Sequence, residues 1–309
     1  MRKWIALPLW LLVVGCGPGS IEDELYDPFD ESQALAAGEG TPKWETGTVP
    51  DSPTGTHQWL IRQAMRLLEA NGDSAEANTP LGLFKYPECQ KQIIQGVFDS
   101  DWLARYTGAR QDLTPDMDMI ALVLSGANYA AHFYEPVTET NWMGQKTPTA
   151  KQFVLDNLEN ARKAQKSGNR PLACHELGVA LHFAGDITQP MHTALFTAIS
   201  FPFKLHSNLE VYAATLHDKN TVNALSAPLQ ATEDTGALLD KVARASKKLW
   251  KKTQTAITAA YRRTHCRTNW IFDNPTCWQG DAQVDKLVGE ALRRAQEDLA
   301  RVLHSIRLQ

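Results

Sequence analysis

His182 and Asp186 stand one helical turn apart in the run Leu181-His182-Phe183-Ala184-Gly185-Asp186, and His206 and Glu210 repeat that spacing. Residues four apart on a helix share a face, so an imidazole nitrogen and a carboxylate oxygen can converge on one ion. His192 lies between the two pairs, just after Pro190, which gives the pattern His-x3-Asp-x5-His-x13-His-x3-Glu. A single His-x3-Asp pair is ordinarily a surface ion pair of little consequence. Two such pairs joined by a third histidine in an apolar setting ask for more, because buried His and Asp must be paired or bind metal. Nitrogen ligands mixed with carboxylates, with no cysteine among them, suit zinc at a catalytic site.

These residues need helices to position them, and helical periodicity dominates the chain while strand alternation is nearly absent. The pattern predicts helices over 57–71, 88–106, 116–131, 149–166, 172–188, 207–216, 238–263 and 281–308. Trp59, Leu60, Ala64, Leu67 and Leu68 mark the first, with Gly72 as its stop. The helix over 172–188 is strongly apolar and must end before Pro190. No internal repeat and no second domain is visible, so the expected class is all-α, a single-domain helical bundle.

The stretch His182-Phe183-Ala184-Gly185-Asp186-Ile187-Thr188-Gln189-Pro190-Met191-His192 resembles the signature of the bacterial zinc-dependent phospholipase C family, which is related to fungal single-strand-specific nucleases. Ala131-His132-Phe133-Tyr134-Glu135-Pro136 resembles a second family motif, and Gly96-Val97-Phe98-Asp99-Ser100-Asp101 the segment that supplies an aspartate. His57 resembles an early histidine ligand, and Trp44, thirteen residues before it, the family's N-terminal tryptophan, whose freed amine and carbonyl bind metal after cleavage. Lys43 is then the protease site. The resemblance covers motifs from Trp44 to about Glu210 and implies an all-helical domain holding three zinc ions. One ion would take Asp101, His132, His182 and Asp186; a second Trp44, His57 and the bridging Asp186; the third His192, His206 and Glu210. Asp99 competes with Asp101 for the aspartate position, and the offset from Gly96 favours Asp101. His175 is expected to support the site or pack, and His217, His265 and His304 to lie at the surface.

The implied chemistry is attack of a zinc-bound hydroxide on a phosphodiester, because paired zinc ions lower the pKa of a bridging water. Asp101 is the candidate to orient the nucleophile or accept its proton. The short gap from His192 to His206, and Glu rather than Asp as last ligand, favour the phospholipase branch over the nuclease branch. The family's headgroup-binding glutamate is replaced by Gly47, which leaves the headgroup open; Trp102 and Tyr129 are candidate aromatics for a cationic headgroup. The alternatives are a single-strand nuclease or nucleotidase, and a non-catalytic zinc- or lipid-binding lipoprotein. The expected partner is a phospholipid or membrane surface, met by a monomer; nucleic acid belongs to the alternative reading, and no nucleotide cofactor is expected.

Charge and cysteine usage bound the setting. The chain has 309 residues and a formal net charge of −4. Residues 1–43 hold three Lys/Arg and seven Asp/Glu, so the remainder is balanced and gives no electrostatic argument for binding a polyanion. Arg2 and Lys3 precede an apolar run too short to span a bilayer, so residues 1–15 read as an export signal. Cys16 after Val13-Val14-Gly15 resembles the lipidated cysteine of a lipoprotein, an anchored outer-membrane or periplasmic form; an ordinary signal peptide of a secreted protein is the other reading. Residues 16–43, acidic with Gly and Pro, read as an unstructured tether or pro-segment, leaving 44–309 as the catalytic domain. Export permits disulfides among Cys89, Cys174, Cys266 and Cys277. A bridge between Cys266 and Cys277 is favoured, with Cys89–Cys174 the other option and a buried thiol at Cys174 the alternative.

Overall fold

A computed structural model describes residues 50, 55–76, 78–102, 128–197, 200, 205–230, 234–263 and 276–308. Trp44, Cys16, His265, Cys266 and the side chain of Trp102 fall outside the described residues, as do the proposed signal and tether and most of the helix expected over 116–131.

The described chain is helical: α1 Thr56–Ala70, α2 Pro80–Phe84, α3 Pro87–Trp102, a 3-10 turn Asn128–His132, α4 Ala150–Lys166, α5 Arg170–Thr188, α6 Pro190–Thr193, α7 Leu205–Ala214, α8 Thr235–Arg263 and α9 Ala282–Ser305. The short helices α2 and α6 were not expected. Each has Pro in its first turn and a side-chain cap, and Pro fits there because its missing N–H would have no partner anyway. Extended pairing among the described residues is an isolated bridge between Glu135 and Thr140. None of these helices is long and apolar enough to cross a membrane.

The helix α5 is the axis of the fold. Asn169 caps its start by accepting from the Leu172 N–H, Pro171 sits in the first turn, and the chain leaves helical geometry at Gln189 before Pro190. It therefore begins two residues earlier than its apolar pattern suggests. Every residue from Leu177 to Thr188 is buried, the signature of a helix surrounded on all sides. It packs most extensively on α3 and α4 and also meets α1, α8 and α9.

Glycines let α3 and α5 meet backbone to backbone. A Cβ at Gly96 would stand 2.1 Å from the His175 carbonyl oxygen, and one at Gly178 2.1 Å from the Ile93 carbonyl oxygen. The same two helices are joined by a disulfide between Cys89 and Cys174, so Cys174 is not a buried thiol. Cys277 is disulfide-bonded as well. The end of α5 is held to α8 by Ser246, whose hydroxyl donates to the Thr188 carbonyl at 2.8 Å.

Candidate metal centre

Asp186 is fully buried near the end of α5, and four imidazoles surround its carboxylate. His132 Nδ1 and His192 Nδ1 lie at 2.9 Å, and His57 Nε2 and His182 Nε2 at 3.4 Å. They arrive from α1 (His57), the 3-10 turn (His132), one turn earlier on α5 (His182) and α6 (His192). Asp101 comes from the last turn of α3, with its carboxylate 3.4 Å from His182 Nε2 and 3.9 Å from His132 Nδ1. His206 and Glu210 on α7 meet at 2.9 Å, and His192 Nε2 reaches Glu210 at 3.6 Å.

Three sets of side chains thereby offer ligand atoms within 4.8 Å of one another: His57, His182 and Asp186; Asp101, His132 and His182; His192, His206 and Glu210. Every expected ligand among the described residues falls in one of them. The structure brings Asp186 close to both the His57 and the His132 sets, and also to His192.

The donor chemistry fits metal ions. His182 Nε2 faces His132 Nδ1 at 3.2 Å, and His192 Nε2 faces His206 Nε2 at 3.2 Å. Two nitrogens bound to one tetrahedral zinc at ~2.0–2.1 Å stand roughly 3.3 Å apart, so these spacings suit a shared ion. His206 gives a sharper argument. Its Nδ1 meets the Phe196 carbonyl oxygen at 2.6 Å, and a carbonyl only accepts, so Nδ1 carries the proton. Nε2, 2.9 Å from the Glu210 carboxylate, then needs either a proton or a metal ion between the two, and a metal ion shared with His192 meets that need. A backbone carbonyl holding the far nitrogen is the arrangement that orients a metal-binding histidine. The far ring nitrogens of three of these histidines, His57 Nδ1, His132 Nε2 and His182 Nδ1, are buried without hydrogen bonds, so each ring's polar contacts lie on its cluster side.

Charge in the protein alone reflects the same crowding. Burial pushes the Asp186 carboxyl up, but the surrounding His132, His182 and His192 hold it well below the usual carboxylate range. Burial likewise raises Glu210, and His206 and His192 overcome it, to about 2. Burial and the neighbouring His182 lower His57.

Three residues outside the expected ligands shape the site. Gly185 lies against the His57 ring, where a Cβ would stand 2.5 Å from Nδ1. Gln189 accepts from the His192 N–H and donates from Nε2 to Glu210 at 2.9 Å, coupling α6 to α7. Glu135 pairs with Lys247 of α8 and accepts from the backbone of Val137 and Thr138, fixing the chain just after His132. Gln189 and Glu135 carry a faint sequence signal, a polar residue next to proline within a motif. Nothing in the sequence marks what Gly185 touches.

The remaining expectations resolve by position. Asp99 does not join the cluster; it receives His175 Nε2 at 2.7 Å and Gln95 Nε2 at 2.8 Å. Tyr129 stands beside the site, its ring 5.6 Å from that of His132. His217 is not at the surface. It is buried, stacked on Trp59 at 4.2 Å, because α1 and the turn after α7 close over it. His304 is half-buried and meets Asp73 at 3.0 Å.

No family model matches the chain. It is 26% identical over 262 residues to a phospholipase C of Listeria monocytogenes, covering 83% of this chain and 78% of the relative. A phospholipase C of Bacillus cereus is 24% identical over 181 residues, 59% of this chain and 56% of the relative. One of Clostridium perfringens is 28% identical over 178 residues, 55% of this chain and 40% of that protein. The chain thus spans most of the Listeria relative but little more than half of the Bacillus one. Among solved structures, the alpha toxin from Clostridium absonum matches with a TM-score of 0.55 at 17% identity, over 81% of this chain and 62% of the toxin. That likeness is one of fold: an all-α arrangement of this kind.

Proposed function

We propose that this relative of the bacterial phospholipases C is itself a zinc-dependent phospholipase C, cleaving a glycerophospholipid to diacylglycerol and a phosphorylated headgroup. The observation that carries the reading is the convergence of five histidines and three carboxylates from six separate elements on one buried centre around Asp186. Packing alone does not assemble such a set, since uncompensated buried imidazoles and carboxylates are costly.

Asp101, His132, His182 and Asp186 would hold one ion, and His192, His206 and Glu210 another. His57 and Asp186 would hold a third together with Trp44, once cleavage after Lys43 frees its amine. Zinc at such sites supplies a water of lowered pKa and draws charge from phosphoryl oxygens. Three divalent ions against three carboxylates leave a net positive centre, which suits an anionic phosphodiester and its transition state. Asp101 has the most exposed of the three carboxylates, at 15%, which supports giving it the role of orienting an attacking water and accepting its proton. Tyr129 and Trp102, flanking this rim in sequence, are our candidates for headgroup contacts. Residues 1–15 remain our export signal and Cys16 our candidate anchor, in keeping with action at a lipid surface outside the cytoplasm.

The test is hydrolysis of phosphatidylcholine and of single-stranded DNA side by side, with and without EDTA, alongside zinc analysis of the correctly matured chain. Chelator-sensitive release of diacylglycerol supports the reading. Cleavage of DNA alone would move the chain to the nuclease branch, and zinc-bound protein with neither activity would make it a binding protein. An Asp101→Asn variant that kept its zinc and full turnover would remove the proposed role of that residue.

A further inference from the structure

The balanced charge of residues 44–309 conceals a segregated one. Between positions 241 and 263, α8 carries eight Lys and Arg and no Asp or Glu. At 3.6 residues per turn, Lys241, Arg244, Lys248, Lys251 and Lys252 fall within an arc of about 120°, opposite the buried Leu239, Val242, Leu249 and Trp250. All five are exposed, and Lys248, Lys251 and Lys252 have no ion-pair partner among the described residues.

One edge of this stripe adjoins a loop that exposes two apolar side chains. Asp240 and Lys247 lie at that edge and bind the chain beside the metal centre: Tyr134 donates to Asp240 at 2.6 Å, Lys151 meets Asp240 at 2.7 Å, and Lys247 pairs with Glu135. The loop that follows, 136–148, presents Val137 at 75% exposure and Met143 at 43%, with Lys146 and Glu139 of the same loop neutralising each other as an exposed ion pair at 3.5 Å. It is built to stay in place. The buried Asn141 side chain accepts from Met143 and Gln145 N–H groups and donates to the Pro148 carbonyl, while Glu135 holds the loop's other end. Ordered apolar tips beside unpaired cations match the two layers of an anionic bilayer surface, hydrocarbon below and phosphate above. A nucleic acid would use the cations but has no partner for Val137 and Met143.

We infer that the solvent face of α8 from Lys241 to Lys252, with the Val137 and Met143 tips of the adjoining loop, docks on an anionic lipid bilayer. This deepens the proposed phospholipase reading by naming the surface that brings the metal centre to its substrate, and it rests on that reading. The zinc-loaded chain should sediment in the cold with vesicles of phosphatidylcholine plus phosphatidylglycerol. It should sediment far less with phosphatidylcholine alone, and raised salt should release it. The variant K248E/K251E/K252E should lose roughly a hundredfold in vesicle affinity, and Val137→Asp several-fold. Hydrolysis of a monomeric short-chain phosphatidylcholine should not change in either. Unchanged sedimentation of the triple variant would overturn the inference, as would lysine-dependent binding of a single-stranded oligonucleotide with none to vesicles. If vesicle binding behaves as stated while the short-chain lipid is not hydrolysed, the surface stands and the enzymatic reading fails.

Discussion

At the scale of single residues, the metal centre depends on side chains that bind no ion. Gln189 is the plainest. It caps α6, which carries His192, and restrains Glu210 on α7. Removing a residue that orients metal ligands typically costs about 10- to 100-fold in metal affinity or activity. Gln189→Ala is therefore expected to raise the zinc dissociation constant by about that factor with little change in melting temperature at saturating zinc; titration with a zinc-sensitive chelator reads it. Gly185 acts by what it lacks. A Cβ there would meet both the Nδ1 and the Cε1 of His57 at under 3 Å, and the ring belongs to a well-packed helix. Gly185→Ala should displace His57, costing about 1–3 kcal/mol of stability and reducing bound zinc, while the circular dichroism stays helical. Full zinc content in that variant would show that the ring has room to move.

At the scale of elements, the site is a meeting of helix ends, and the seams between helices set its tolerances. The seam of α3 with α5 brings Asp101 to His182. It is closed by Gly96 and Gly178 and pinned by Cys89–Cys174, residues 85 apart in the chain. A cross-link over so long a loop restricts the unfolded chain strongly. The Cys89→Ser/Cys174→Ser variant should lose about 2–5 kcal/mol, seen as a fall of roughly 5–15 °C in melting temperature. The start of α1, which carries His57, is held differently, by Trp59 stacked on His217 and by Thr56 bonded to His217 Nε2 at 3.1 Å. Burial lowers the His217 pKa from 6.5 to about 4, so the folded protein prefers the ring neutral. The unfolded chain takes up its proton first as pH falls. The stabilisation is complete above pH 6.5 and is lost between 6.5 and about 4, by about 3 kcal/mol in all. His217→Phe keeps the stack without the proton. Its stability, measured by urea unfolding with zinc removed, should fall less than the parent's between pH 7 and pH 4.5; parallel curves would refute the assignment.

At the scale of the molecule, the candidate metal centre predicts that metal binding and folding are coupled. Five histidines and three carboxylates sit in one buried region, with ligand atoms close enough to share ions. Ions bound to the folded but not the unfolded chain stabilise it by mass action. EDTA should therefore lower the melting temperature markedly, and zinc should restore it. Protons compete for the same nitrogens, so zinc should also be released as pH falls below the histidine range. A melting temperature indifferent to EDTA would sink the metal centre and the proposed function with it.

Much of this was legible in the sequence because helices give their residues a fixed period. The i,i+4 pairs His182–Asp186 and His206–Glu210, the stop at Pro190, the stripe of α4 and the all-α class follow from spacing, since a turn of helix fixes which side chains share a face. Helical spacing alone does not choose between Asp99 and Asp101; the preference for Asp101 rests on its offset from Gly96 in the family-like motif, and the packing of α3 on α5 brings Asp101 to His182 and Asp99 to His175. The burial of His217, the tie from Gln189 to Glu210, and the meeting of the α8 stripe with the Val137 loop are likewise products of packing between segments far apart in the chain. Sequence set the chemistry that each helix could offer. Only the tertiary structure decided which offers face each other, because contact between distant segments depends on how closely their backbones can approach.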